Sequence, residues 1–85
     1  MRDLETLRKE IDRVDKDICA LLGERFALVR EIGAVKKEKG LPILNASREA
    51  AVLEKVRARA ENEAEKDALA EVYKTIMIEA KKLER

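Results

Sequence analysis

Eighty-five residues suffice for one domain, spanning residues 1–85, with a modest core, and exclude a multidomain protein. Charged residues make up 44% of the chain and aromatics 2%, which excludes a β sandwich and points to long helices with many surface ion pairs. Nineteen Lys and Arg against eighteen Asp and Glu leave a net charge of +1, and because the two signs interleave, nucleic acid is not expected as a partner.

The first element is a helix that begins after Asp3, a good N-cap, and runs to Lys39, where Gly40 and then Pro42 supply a stop. At 1.5 Å per residue it is on the order of 50 Å long. Leu4, Leu7, Ile11, Val14, Ile18, Leu21, Leu28, Ile32 and Val35 recur along it every three and then four positions, forming a heptad seam. A second apolar strip, Cys19, Leu22, Phe26, Val29 and Gly33, is confined to its middle. A loop from Leu41 to Ala46 leads to a second helix capped by Asn45 or Ser47, carrying Val52, Leu53 and Val56 and fading near Glu61. Asn62 to Lys66 reads as a turn. The third helix follows, with Leu69, Val72, Tyr73, Ile76, Met77, Ala80 and Leu83 on its packed face. The expectation is an all-α fold of three helices, one very long.

Two short helices cannot cover both sides of the long one. The third helix takes the middle strip, and the heptad seam requires a second molecule, so an intertwined homodimer is expected. Gly23 and Gly33 each cost about 1 kcal/mol relative to Ala inside a helix, and close helix contact is the reason expected for both.

The same inventory limits the chemistry. There is no histidine and a single cysteine, Cys19. The commonest general base and metal ligand are therefore missing, an intramolecular disulfide is impossible, and Cys19 reads as a small buried residue. No metal and no cofactor are expected. With no apolar run of membrane-spanning length and no signal-peptide core after Met1, Arg2 and Asp3, a soluble cytoplasmic protein with no membrane partner is expected.

One seam position departs from the repeat: Arg25 stands where an aliphatic belongs. An isolated polar seam residue often only fixes register, or snorkels past its neighbours to water. The alternative is that this guanidinium, which cannot shed its proton and finds no acid on the seam, awaits an anionic ligand. Its company favours the second reading. Lys36 lies about three turns further on nearly the same side, and Arg48 and Glu49 open the second helix, beside N-terminal amides that favour anions. Arg8 is about 42 Å from Lys36 along one helix and cannot share a small ligand with it within one chain. In an antiparallel pair centred near residue 21, the partner's Arg8 falls opposite residue 34, which would make the site a shared one.

These residues carry a family resemblance. Leu7-Arg8-Lys9-Glu10-Ile11-Asp12, Leu21-Leu22-Gly23-Glu24-Arg25, Ile32-Gly33-Ala34-Val35-Lys36, and Pro42 through Arg48-Glu49 resemble the all-helical chorismate mutases of the AroQ class, over nearly the whole chain. The resemblance implies a domain-swapped dimer of three-helix chains that converts chorismate to prephenate, the committed step toward phenylalanine and tyrosine. It implies that Arg8 comes from the other subunit, that Arg25 clamps a substrate carboxylate, and that Lys36 reaches a carboxylate and the ether oxygen of the breaking bond. Arg48 matches a further cation and Glu49 the acid that accepts the substrate hydroxyl. Asn45 stands where the family often has aspartate, at a position that contributes its backbone amide. A Claisen rearrangement suits a chain without histidine, because it needs no nucleophile, metal or cofactor, only a folded dianion and donors aimed at the oxygen where charge grows.

Two positions depart from the commoner bacterial pattern. Ala80 stands where a serine often contacts a carboxylate, and Glu84 where a glutamine donates to the ether oxygen. An ionised glutamate only accepts, so Glu84 must be protonated to serve, and turnover is expected to rise as pH falls below neutrality. The other reading is that Glu84, next to the last residue, frays into solvent. Rival functions on the same residues are an isochorismate pyruvate lyase, a non-catalytic helical dimerisation module, and a mutase that needs a partner enzyme of the same pathway.

Overall fold

Three capped helices account for nearly all of the chain in the computed structural model, which describes residues Met1–Arg85; there is no strand. Helix α1 (Leu4–Lys39) starts where the Asp3 carboxylate accepts the Thr6 N–H at 2.8 Å. It ends at Gly40, whose φ of 69° is left-handed, with the Leu41 N–H donating back to the Lys36 carbonyl at 2.8 Å. Only glycine takes that conformation without a Cβ penalty, and the pairing satisfies carbonyls that the helix end would otherwise orphan.

Helix α2 (Ala46–Ala58) is capped by Asn45, whose side chain accepts the Arg48 N–H at 3.1 Å; Ser47 is not the cap but donates its hydroxyl to the same Asn45 oxygen. The helix stops at Ala58, before the expected Glu61. Helix α3 (Glu63–Glu84) starts earlier than the sequence suggested, because Asn62 is its N-cap and accepts the Glu65 N–H at 3.0 Å. Glu63 to Lys66, expected to be a turn, is its first helical turn. No helix is long and apolar enough to cross a membrane.

Pairings between helices fix their directions. Arg25 lies over Tyr73 and Lys36 meets Glu84, so α3 runs parallel to the second half of α1. Glu49 meets Lys81 and Arg57 meets Asp67, so α2 and α3 are antiparallel. Helix α3 is the only element that touches both others. Its most buried residue is Ala70, a small side chain that carries little periodic signal; Val72, expected on the packed face, is exposed.

The middle strip of α1 receives α3 as expected, with Val29 and Gly33 buried and Leu22 and Phe26 half-buried, but Cys19, expected to be buried, is exposed. Gly33 has a clear cause: a Cβ there would stand 2.6 Å from the Glu84 carbonyl oxygen, so glycine is what lets the end of α3 touch α1. Gly23 meets nothing within 4 Å, so close contact inside the chain is not its reason.

Along the seam, Leu4, Ile11, Val14, Ile18, Leu21, Leu28, Ile32 and Val35 all remain exposed. Only 6 of 85 residues are buried, and burial of a Val or Met side chain contributes only about 1.5–3 kcal/mol. Set against backbone ordering at roughly 1–2 kcal/mol per residue, so small a core leaves the long helix dependent on whatever covers its seam.

Candidate active site

A cleft of about 230 Å³ opens where the three helices meet. From α1 it takes Arg25, Val29, Ile32 and Lys36, at helical spacings that put all four on one face. The α1–α2 connection adds Ile43 and Asn45, α2 adds Arg48, Glu49 and Val52, and α3 adds Met77, Ala80, Lys81 and Glu84. The cleft is a little below the roughly 300–1,000 Å³ of most small-molecule sites. Ile32, in its wall, is also on the exposed seam.

Each cation is held differently. The Arg25 guanidinium packs 5.7 Å from the centre of the Tyr73 ring, a cation–π contact that leaves its in-plane donors free. Its Nη1 is buried and meets no hydrogen-bond acceptor of the chain. That nitrogen therefore does not reach water, although the residue as a whole is half-buried. A buried donor without a partner costs about 1–3 kcal/mol, and an anion in the cleft is what would recover it.

Lys36 is held at the far end. Its Nζ donates to the Ile43 carbonyl at 2.7 Å and pairs with Glu84 Oε1, also at 2.7 Å. The Glu84 side chain is only 8% exposed, so it does not fray into solvent. Gly33, one turn before Lys36, allows this placement by admitting the Glu84 backbone. Arg48 is exposed at the rim and forms no ion pair, and Glu49 beside it pairs with Lys81 at 3.0 Å. Asn45 lines the cleft, and its side chain is committed to capping α2. Ala80 is buried in the wall and contributes no polar atom.

The structure thus brings together Arg25, Lys36, Asn45, Arg48, Glu49, Ala80 and Glu84 from the expected set, and leaves Arg8 exposed on the first half of α1, away from the cleft. Lys81 is a lining residue that sequence reasoning missed. Its signal was present, since Met77, Ala80, Lys81 and Glu84 follow the 0, 3, 4, 7 spacing of one helical face. It was hidden in the charged run Glu79 to Arg85. No three or more His, Cys, Asp or Glu side chains cluster as a metal site would require. The cleft offers hydrogen-bond donors of fixed direction and no group placed for nucleophilic attack, an arrangement suited to binding and straining an anion rather than to covalent catalysis.

Comparison with known proteins agrees with this geometry. The sequence profile described as chorismate mutase type II matches residues 7–85. A bifunctional chorismate mutase/prephenate dehydratase of Aquifex aeolicus is 46% identical over 56 residues, 66% of this chain and 16% of that protein, so the chain spans about a sixth of that relative's length. A chorismate mutase of Methanocaldococcus jannaschii is 33% identical over 54 residues, covering 64% of this chain and 54% of that one. The solved chorismate mutase (form II) of Thermus thermophilus superposes with a TM-score of 0.90 at 36% identity, covering 95% of this chain and 92% of that one. A profile match that runs through all three helices, on a chain whose cleft gathers Arg25, Lys36 and Arg48, means that this chain belongs to the chorismate mutase type II family.

Proposed function

We propose that the chain converts chorismate to prephenate as a homodimer with two sites, each completed by Arg8 of the opposite subunit. The observation that carries this reading is Arg25: a half-buried guanidinium whose Nη1 is buried with no acceptor, in a cleft that also holds Lys36 and Arg48 and has no nucleophile. The exposed seam supports the dimer, since a second α1 laid antiparallel would cover it and bring an Arg8 toward the cleft of the first chain.

In this mechanism Arg25 and the partner subunit's Arg8 bind the substrate carboxylates, with Arg48 adding charge at the rim. The Glu49 carboxylate and the Asn45 backbone hold the ring substituents, and Ala80 shapes the wall. The enol-pyruvyl arm is thereby folded over the ring. As the carbon–oxygen bond breaks, the carbon–carbon bond forms within the same molecule, and negative charge grows on the ether oxygen. Lys36 donates to that oxygen. Glu84 assists only in its protonated form, because its carboxylate both repels the oxygen and occupies Lys36. No proton is consumed, and positioning with charge stabilisation accounts for the acceleration. In the A. aeolicus relative a chorismate mutase and a prephenate dehydratase share one chain, which supports an enzyme that consumes prephenate as a pathway partner here. A soluble, cytoplasmic setting follows from the same metabolic role.

The test is the loss of chorismate absorbance, with prephenate identified as product. Glu84→Gln, whose amide donates where an ionised carboxylate only accepts, is expected to raise kcat. Arg25→Ala should lower kcat/KM by about 10²–10³-fold, the size of effect seen when one preorganised donor is removed. Conversion of isochorismate but not chorismate would move the assignment to a pyruvate lyase, and conversion of neither would reduce the chain to a dimerisation module.

A further inference from the structure

We propose that Lys81 is a positioning residue that holds Glu49 as a hydroxyl acceptor and keeps it away from the arginines; the proposal rests on the chorismate mutase reading. The other lysines of α3 behave differently. Lys66, Lys74 and Lys82 each pair with a glutamate three residues earlier on the same helix, Glu63, Glu71 and Glu79, at 2.8, 2.9 and 3.1 Å. The residues three and four before Lys81 are Ile78 and Met77, which offer no acid. Lys81 instead crosses to α2 and pairs with Glu49 Oε2 at 3.0 Å, with both side chains only 28% exposed.

The consequence is a sorting of charge inside the cleft. Four cations line it, Arg25, Lys36, Arg48 and Lys81, with two acids, Glu49 and Glu84. Lys36 takes Glu84 and Lys81 takes Glu49. Arg25 and Arg48, which form no ion pair in the chain, are left open to a dianion, Arg25 to clamp a carboxylate and Arg48 to add charge at the rim. Without Lys81, the Glu49 carboxylate would sit in a confined space beside guanidinium donors that lack acceptors, and charge-assisted hydrogen bonding would draw it to them. It would then compete with substrate for the same groups. With Lys81 holding Oε2, the other oxygen, Oε1, is free to accept from a neutral hydroxyl. Ala80 adds no polar atom to this wall, so Lys81 is the only hydrogen-bonding donor that an α3 side chain contributes to the cleft besides a protonated Glu84.

The experiment is a double-mutant cycle read by chorismate turnover at pH 7.5, with unaltered protein, Lys81→Met, Lys81→Arg, Glu49→Gln and Lys81→Met/Glu49→Gln. Lys81→Met is expected to raise KM about 10-fold with a smaller fall in kcat, as loss of ground-state binding does. Lys81→Arg should stay within about 3-fold of the unaltered protein on both constants. In the Glu49→Gln background the Lys81→Met effect should disappear, since a neutral amide does not compete for the arginines, and that non-additivity separates positioning from a merely structural role. A Lys81→Met protein with unchanged KM overturns the proposal, as does an equal penalty in both backgrounds, which would make Lys81 a direct substrate contact. If Lys81→Met lacks native helicity by circular dichroism, Lys81→Gln replaces it in the same cycle with the same outcomes. Absence of turnover in the unaltered protein overturns the functional reading itself, and this inference with it; turnover there with an unaffected Lys81→Met overturns the inference alone.

Discussion

The two halves of α1 carry the same seam and meet different fates. From Leu4 to Leu21 every residue of the helix but the half-buried Leu7 is exposed, apolar ones included. From Arg25 to Lys36 the same seam continues outward, while the adjacent strip is buried against α3 and the cleft forms between them. The difference is the second strip: only where one helix is apolar on two sides can it serve its own chain and another chain at once. The cleft residues collect at that overlap, and the first half is left as a bare arm whose one proposed site residue, Arg8, lies away from the cleft of its own chain.

The largest expected effect comes from breaking the arm. Ile18→Asp puts a carboxylate in the middle of the exposed seam, and if a second α1 covers it, burying that unpaired charge costs several kcal/mol. Sedimentation is expected to show a monomer, with chorismate turnover lost although the residue is remote from the cleft. A dimer with normal turnover would show that the seam is not the interface. A smaller effect is expected at the other half from Gly33→Ala. The added Cβ, 2.6 Å from the Glu84 carbonyl oxygen, must push the last turn of α3 outward at about 1–3 kcal/mol. Turnover should fall several-fold, because Glu84 and Lys36 are moved apart, while the dimer persists. Unchanged turnover would mean that the end of α3 has no part in catalysis.

The smallest effect belongs to the free end of the arm. The Thr6 backbone N–H donating to Asp3 holds its carboxyl below the ordinary value of 3.8. A depressed folded value means that the cap's contribution is fully present above pH 3.8 and is lost as pH falls through the folded value. Asp3→Asn, which can cap without titrating, should remove a small acid-side loss of helicity seen by circular dichroism below pH 3.8. Identical acid curves for the two proteins would leave the cap without a titrating role.

What the sequence made legible follows the range of each signal. The ends of α1 could be read because Asp3 and Gly40 act locally, and Arg25 because a charge on an apolar repeat is conspicuous. The start of α3 could not be read from periodicity, since Glu61 to Asp67 contains one alanine and no larger apolar residue to mark a face; the cap at Asn62 was the better guide. Val72 was assigned inward because it belongs to the set of apolar residues recurring along α3, yet the contact is made through Ala70, whose value lies in being small. Lys81 and Glu84 lie in a run of charges that reads as a solvated face. Their placement is decided by Glu49 of α2 and by Gly33, more than 30 residues away in each case, and composition at a helix end holds no trace of that.

Arg25 has a consequence beyond recognition. A donor that the fold buries without an acceptor is a debt carried by the native state, and a carboxylate that settles it stabilises the folded form relative to the unfolded one, by an amount that grows with the logarithm of ligand concentration. Melting temperature and occupancy are therefore linked in this protein, so that resistance to heat becomes a gauge of the metabolite supply around it.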